Sequence, residues 1–318
     1  MTLSSRFNFL FPALAVAVIT HAAAEGSVPE DVFRSARSGP WSDPATWAGE
    51  SVPGEGARVQ IRTGHRVLYD VDSEAAIRAI HVAGELSFAT DRDTRLDVGL
   101  IRIEAGEEWK DGGFNCHFEP EGPREGPLPA LEIGMPNQRV GAEYRALIRL
   151  VSFEGDDTES LPAIVNCAGR MDIHGTPLGR TWVKLGETAS VNDTRIFLAE
   201  DASDWKAGDR IVITSTQRQQ PVGGSMTTHV TEAPSSEERI VQRVSGYSGS
   251  VLSQKLGNSY LELDQPLNIP HRASEGYAAE IANLSRNVII ESADPNGHRG
   301  HTMYHRYSRG SISYAEFR

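Results

Sequence analysis

Residues 80–88 read IHVAGELSF, and residues 165–173 read VNCAGRMDI. Both follow one pattern: apolar-x-apolar-Ala-Gly-polar-apolar-x-apolar. Alternation sends the apolar side chains of an extended segment to one face, and glycine lets the chain bend sharply between two such segments. Strand, glycine corner, strand is the unit of a solenoid whose inward side chains stack between coils. A β-sandwich with similar hairpins gives the same frequent short strands and is the alternative. In this pattern Cys167 takes an inward position, where a thiol behaves as a small hydrophobe.

Outward from the repeat, short apolar runs alternate with Gly, Pro, Asn and Asp. Val59 to Ile61, Arg66 to Tyr69, Ile101 to Ile103, Leu131 to Ile133, Leu147 to Val151, Ile211 to Ile213 and Val288 to Ile290 are examples. Runs of this length, rich in β-branched residues, favour strands. Only Asp72 to Arg78 (DSEAAIR) reads as a helical turn, capped by Asp72 or Ser73. The chain is therefore expected to be all-β. Asp204-Trp205 through Gly208-Asp209 reads as a turn feeding a strand. The polar stretch 217–236 reads as an exposed loop.

Residues 1–24 have the form of a secretory leader: Arg6, an apolar stretch from Phe9 to Ile19, and Ala22-Ala23-Ala24 before Glu25. That stretch falls short of the about 20 residues a membrane span needs, and a retained anchor is the alternative. Residues 25–39 read as a lead-in. The expected location is outside the cell, at its surface or in a periplasm. The net charge is −12, and removing Arg6 with the leader makes it −13. Such a balance argues against nucleic acid as a partner. The two cysteines, Cys116 and Cys167, are an even count in an exported chain. Both a bridge and free thiols stay open.

Residues 41–72 carry a second, more specific signature: Trp41-Ser-Asp-Pro-Ala-Thr-Trp47, Val52-Pro53-Gly54-Glu55-Gly56, Val59-x-Ile61, Gly64 and Val67-Leu68-Tyr69-Asp70. This pattern resembles the opening of the G-eight domain family, a β-rich extracellular module named for its glycines. The similarity continues through Ile80-x-Val82-x-Gly84-x-Leu86 and Leu131-x-Ile133-Gly134 to about Ile164. Later segments, Gly169 to Gly175, Trp182 to Leu185, Leu263 to His271 and Leu284 to Val288, resemble the region C-terminal to the module in its relatives. Those relatives are the group containing cell-migration-inducing and hyaluronan-binding protein, transmembrane protein 2 and fibrocystin. The resemblance implies a G-eight domain at 40–166 and the first coils of a right-handed parallel β-helix at 167–318. Since Phe317-Arg318 falls inside a strand-like run, the chain is expected to be a piece of a longer protein. The resemblance also implies an acidic, hyaluronan-like polysaccharide as partner, bound and in some relatives degraded. A non-catalytic adhesion or surface module is the other reading.

Candidate chemistry gathers late in the chain. Between Arg286 and Arg318 five arginines face three acids, and guanidinium forks suit uronate carboxylates. Surface ion pairs are the alternative use. His298, His301 and His305 form the densest ionisable cluster; on a strand His301 and His305 share a face. Imidazoles there suit acid–base work better than a metal, which needs three convergent ligands. The expected catalytic set is His271 and His301, with Asp264 as carboxylate partner. The expected substrate-binding set is Arg286, Arg306 and His298. No metal set is visible; Ca²⁺ bridging protein and sugar carboxylates is compatible with its oxygen preference. Asn287 is expected in an asparagine ladder. The tryptophans are expected to pack, with sugar stacking as the alternative.

Overall fold

The computed structural model describes residues 31–113, 115, 126–216, 236–245 and 259–318. The leader, Cys116 and nearly all of the 217–236 loop lie outside these. The described chain is built almost entirely of strands, with a single 3-10 turn at Pro44–Thr46. Among the described residues no helix is long and apolar enough to cross a membrane.

Two parallel sheets carry the architecture. The first runs Val32–Arg34, Arg58–Ile61, Asp72–Val82, Thr94–Glu104, Ala146–Leu150, Val288–Ser292 and Ala315–Phe317, with Ala163–Cys167 and His301–Tyr304 added beside Thr94–Glu104. The second runs Gly39–Pro40, Arg66–Tyr69, Glu85–Phe88, Ala130–Ile133, Arg170–His174 and Ile312–Ser313. The chain passes repeatedly between them and lays each pass on an earlier one; Ala146–Leu150 and Ala163–Cys167 both lie beside Thr94–Glu104, along its first and second halves. Val59, Ile80, Ile101 and Ile164 stack in one inward column, and Val67, Leu86, Leu131 and Met171 in another. All belong to one buried apolar core. At its N-terminal end the core is aromatic. Trp41 meets Trp47 edge-on at 4.8 Å and Tyr69 at 5.1 Å, and Tyr69 meets Phe88 at 5.0 Å. The Trp47 Nε1–H donates to the Trp41 carbonyl at 2.8 Å, so this buried indole keeps its hydrogen bond.

The repeat glycines sit at corners where another backbone passes beneath. A Cβ on Gly84 would lie 2.3 Å from the carbonyl oxygens of Arg62 and His65, and one on Gly169 would lie 2.6 Å from Ile103 Cγ2. The second corner holds one residue more than the first. Ile80 stacks over Ile164 rather than Val165, while Glu85 and Arg170 both pair with Ala130. Ala168, at φ +59, takes up the extra residue. Cys167 is consequently not in the main core: it is a buried free thiol in a smaller cluster with Ala79, Leu100, Ala163 and Val165. The inward corner position belongs to Asn166, whose Oδ1 accepts from Gly169 N at 2.9 Å. Burial raises the Cys167 thiol to about 11, so it is an inert packing group.

Asp72 to Arg78 is strand, not helical turn. Thr94–Glu104 pairs with it in parallel on one side, the 56–57 backbone bonds Ala76 and Arg78 on the other, and Ser73 Oγ accepts from Ala75 N where the register shifts between Ser73 and Ile77. Along the outside of the first sheet, Asp97, Arg149, Glu291 and Arg318 alternate in sign on successive passes. Arg149 bonds Asp97 at 3.2 Å and Glu291 at 2.9 Å, and Arg318 bonds Glu291 at 2.8 Å.

Between His174 and Val288 the chain leaves the parallel sheets and builds a six-stranded sheet of antiparallel pairs. Its order is Trp182–Lys184, Glu280–Asn283, Arg210–Ile213, Glu237–Ser245, Ser259–Leu263 and Arg195–Leu198. It has a core of its own around Val183, Leu198, Trp205, Ile211, Leu261 and Ile281. Gly84→Ala is expected to cost about 1–3 kcal/mol in urea denaturation through the backbone clash. Gly54→Ala, with open space around the added methyl, is expected to change little.

Candidate functional site

His271 lies inside the antiparallel unit and is fully buried. Its Nδ1 is 2.9 Å from the Thr214 carbonyl and its Nε2 is 3.1 Å from Glu237 Oε1. Both ring nitrogens thus lie within hydrogen-bond distance of an oxygen, which fixes the orientation of the ring. The carboxylate beside it is Glu237, not Asp264. Asp264 is exposed at a strand end, where Oδ1 accepts from Ile240 N at 2.8 Å. Glu237 also accepts from the N–H groups of Asn268 and Ile269, from Asn268 Nδ2 and from Arg239. Burial opposes its charge, but these donors outweigh burial and hold the carboxyl down at about 2. The group organises the Pro266–His271 turn and is sealed from substrate.

Arg286 occupies a different place. It lines a cleft of about 180 Å³ where the antiparallel unit meets the parallel sheets, together with Thr176, Leu178, Lys206, Asp209 and Asn287. The residues around it are firmly tied. Asn287 Oδ1 accepts from Thr176 N at 2.8 Å, and its Nδ2 reaches the carbonyls of Val140, Gly141 and Tyr144. It is a clamp between three segments, where a ladder was expected. Buried Asp209 accepts from Lys206 N and from Asn283 Nδ2, with the turn set by Gly208 at φ +91. Glu316 receives Arg210 at 2.9 Å and the Arg286 N–H at 3.2 Å, joining the two units below the cleft. Arg286 commits Nη1 to the carbonyls of Asn283 and Ser285. The exposed Lys206 ammonium has no ion-pair partner among the described residues.

The remaining expected residues do not join this cleft. His298 is exposed in the turn before His301–Tyr304, and His301 opens that strand opposite Ala163, exposed. Arg306 is exposed and stacks on Tyr307 at 4.9 Å. Arg318 is an ion-pair partner of Glu291 and Glu316. Burial and Arg102 lower the His305 pKa, disfavouring its charged form. Among the described residues no three His, Cys, Asp or Glu side chains are placed to hold a metal ion.

One polar cluster went unmarked in the sequence. Asp172 and His174, buried on the outer face of their strand, meet the next pass of the second sheet. His174 Nδ1 lies 2.8 Å from Ser313 Oγ and Nε2 lies 3.0 Å from Ser311 Oγ, while Asp172 Oδ1 accepts from Ser311 N at 2.9 Å. The Asp-x-His alternation of a strand was the available signal, but serines 137 and 139 positions later could be paired with it only by topology.

Part of the chain is similar to the G8 domain family. Residues 46–186 match that family, from the 3-10 turn through both parallel sheets into the strand Trp182–Lys184. Relatives extend the similarity beyond the G8 domain. Fibrocystin of Mus musculus is 27% identical over 292 residues, 89% of this chain and 6% of its own length. Fibrocystin-L of Homo sapiens is 26% identical over 259 residues, 80% of this chain and 5% of its own length. Protein rliB of Dictyostelium discoideum is 23% identical over 271 residues, 83% of this chain and 20% of its own length. The chain thus spans a fifth or less of each of these relatives.

Because the folded-state value for Glu237 lies below the ordinary 4.5, its carboxylate stabilises the fold fully above about pH 4.5. That contribution is expected to disappear as pH falls toward 2. Glu237→Gln, which strands Arg239 and His271, is expected to lose about 3–5 kcal/mol at pH 7. Urea denaturation across pH checks both, and the variant is expected to flatten the acid limb.

Proposed function

We propose that this chain is an extracellular G8 module that holds an acidic, hyaluronan-like polysaccharide in the Arg286–Lys206 cleft, on the opening coils of a right-handed parallel β-helix. One observation carries this. In a chain of net charge −12, the cleft holds a guanidinium and an ammonium with no ion-pair partner among the described residues, while its acids are already bonded to the protein: Asp209 to Lys206 N and Asn283, and Asp204 to Gly179 N. A uronate carboxylate entering there meets donors of opposite charge, in a concave site where charge-assisted bonds gain strength. The similarity to the G8 domain family and to the fibrocystins supports this reading.

Binding without cleavage is favoured over depolymerase action. His271 is sealed, Asp264 caps a strand, and His301 lies on another sheet, so the expected acid–base set does not converge on a sugar. The module therefore serves adhesion or surface architecture through its glycan.

Calorimetry with hyaluronan, pectate and alginate, followed by sizing of the polymer, tests this. Binding with unchanged chain length is expected. Lys206→Ala is expected to weaken binding about tenfold, the worth of one charge-assisted hydrogen bond, and added salt to weaken it further. Equal affinity for a neutral polymer, or indifference to Lys206→Ala, would overturn the assignment.

A further inference from the structure

The strand Trp182–Lys184 forms one edge of the antiparallel sheet, and its burial alternates: Val183 enters the core, while Trp182 and Lys184 stay outside. Trp182 is 50% exposed, whereas Trp41, Trp47 and Trp205 are each at 3% or less. Its cross-strand neighbour is Ala282, too small to cover an indole. Beside it lies a hollow of about 220 Å³ lined by Gly179, Arg180, Thr181, Trp182 and Glu200. The floor is fixed. The Gly179 N–H is held by Asp204, the Arg180 carbonyl accepts from buried Trp205 Nε1 at 2.8 Å, and Glu200 Oε2 accepts from Lys184 N at 2.7 Å. Arg180 itself is exposed, with no side-chain partner among the described residues.

Along the chain this hollow follows directly on the cleft. Thr176, Pro177 and Leu178 line the cleft, and the next four residues line the hollow. Their backbones are at most roughly 14 Å apart between Leu178 and Trp182. We propose that Trp182 is a stacking platform for a pyranose ring of a glycan whose carboxylate occupies the Arg286–Lys206 cleft. The C–H face of a sugar ring covers the exposed indole, as apolar faces do on aromatic rings. Its hydroxyls meet Glu200 and Arg180, and Lys184, on the same face as Trp182, extends the positive character along the strand. The platform supplies affinity indifferent to charge, and the cleft supplies the preference for acids. The inference rests on the acidic-glycan assignment above, and its test separates the two.

Hyaluronan hexasaccharide and neutral chitohexaose are titrated into wild type, Trp182→Ala, Trp182→Phe and Lys206→Ala, with calorimetry for affinity and tryptophan fluorescence for the site. Hexasaccharide is expected to shift the emission of wild type and not of Trp182→Ala. Trp182→Ala is expected to lose about tenfold in affinity for both sugars, and Trp182→Phe to recover most of it. Lys206→Ala is expected to weaken only the hyaluronan fragment. Wild-type affinity in Trp182→Ala with matching melting temperatures overturns the platform and leaves the cleft standing. Loss in Trp182→Ala with no preference for the acidic sugar keeps the platform and removes the acidic assignment. No binding by wild type overturns both.

Discussion

Parallel pairing at about 4.8 Å forces each inward side chain onto the equivalent one a pass earlier. That constraint decides which residues the chain can use. Isoleucine, valine and leucine repeat down the columns because a branched side chain seats well on its own kind, and Val59, Ile80, Ile101 and Ile164 show it. At the N-terminal end of the described stack the aliphatic columns give way to the packed rings of Trp41, Trp47 and Tyr69. The corners obey the same constraint. Successive passes come so close at Gly84 and Gly169 that no side chain fits.

The antiparallel unit has its own core, so its attachment to the parallel sheets must be specified separately. Polar groups provide it. Asn287 ties Thr176 to the 140–144 segment, and Glu316 ties Arg210 to the final pass. These bonds leave a cleft between the units whose walls cannot easily drift, and rigid walls lower the ordering cost of binding. The cleft is thus a product of how the units are joined.

Much of the fold was legible in the sequence, because inward columns leave an alternation that survives translation into strands. The repeat located both glycine corners. It misplaced Cys167 by one position, since the extra residue absorbed at Ala168 is invisible to a pattern read from either side. Asp72 to Arg78 looked helical because helix caps and strand irregularities use the same polar residues. The antiparallel unit could not be told from further parallel strands, since β-propensity is silent on direction. At the candidate site Arg286 was legible from its charge, but Lys206 and Trp182 became neighbours of interest only through topology. Asp264 lies much closer to His271 in sequence than Glu237, which is 34 residues away, and only the fold shows that Glu237 is the one that reaches it.

The column Asp97, Arg149, Glu291, Arg318 runs from a buried acid to a half-exposed base, and its outermost pair adds little energy. Its order carries information of another kind. Apolar columns are tolerant, because isoleucine sits nearly as well on the wrong pass as on the right one. An alternating column is not tolerant. If a pass were skipped or exchanged, Asp97 would face Glu291 and Arg149 would face Arg318. The acids and bases on the outside therefore act as a sequence check on the stack, penalising every misthreaded order that the greasy interior would accept.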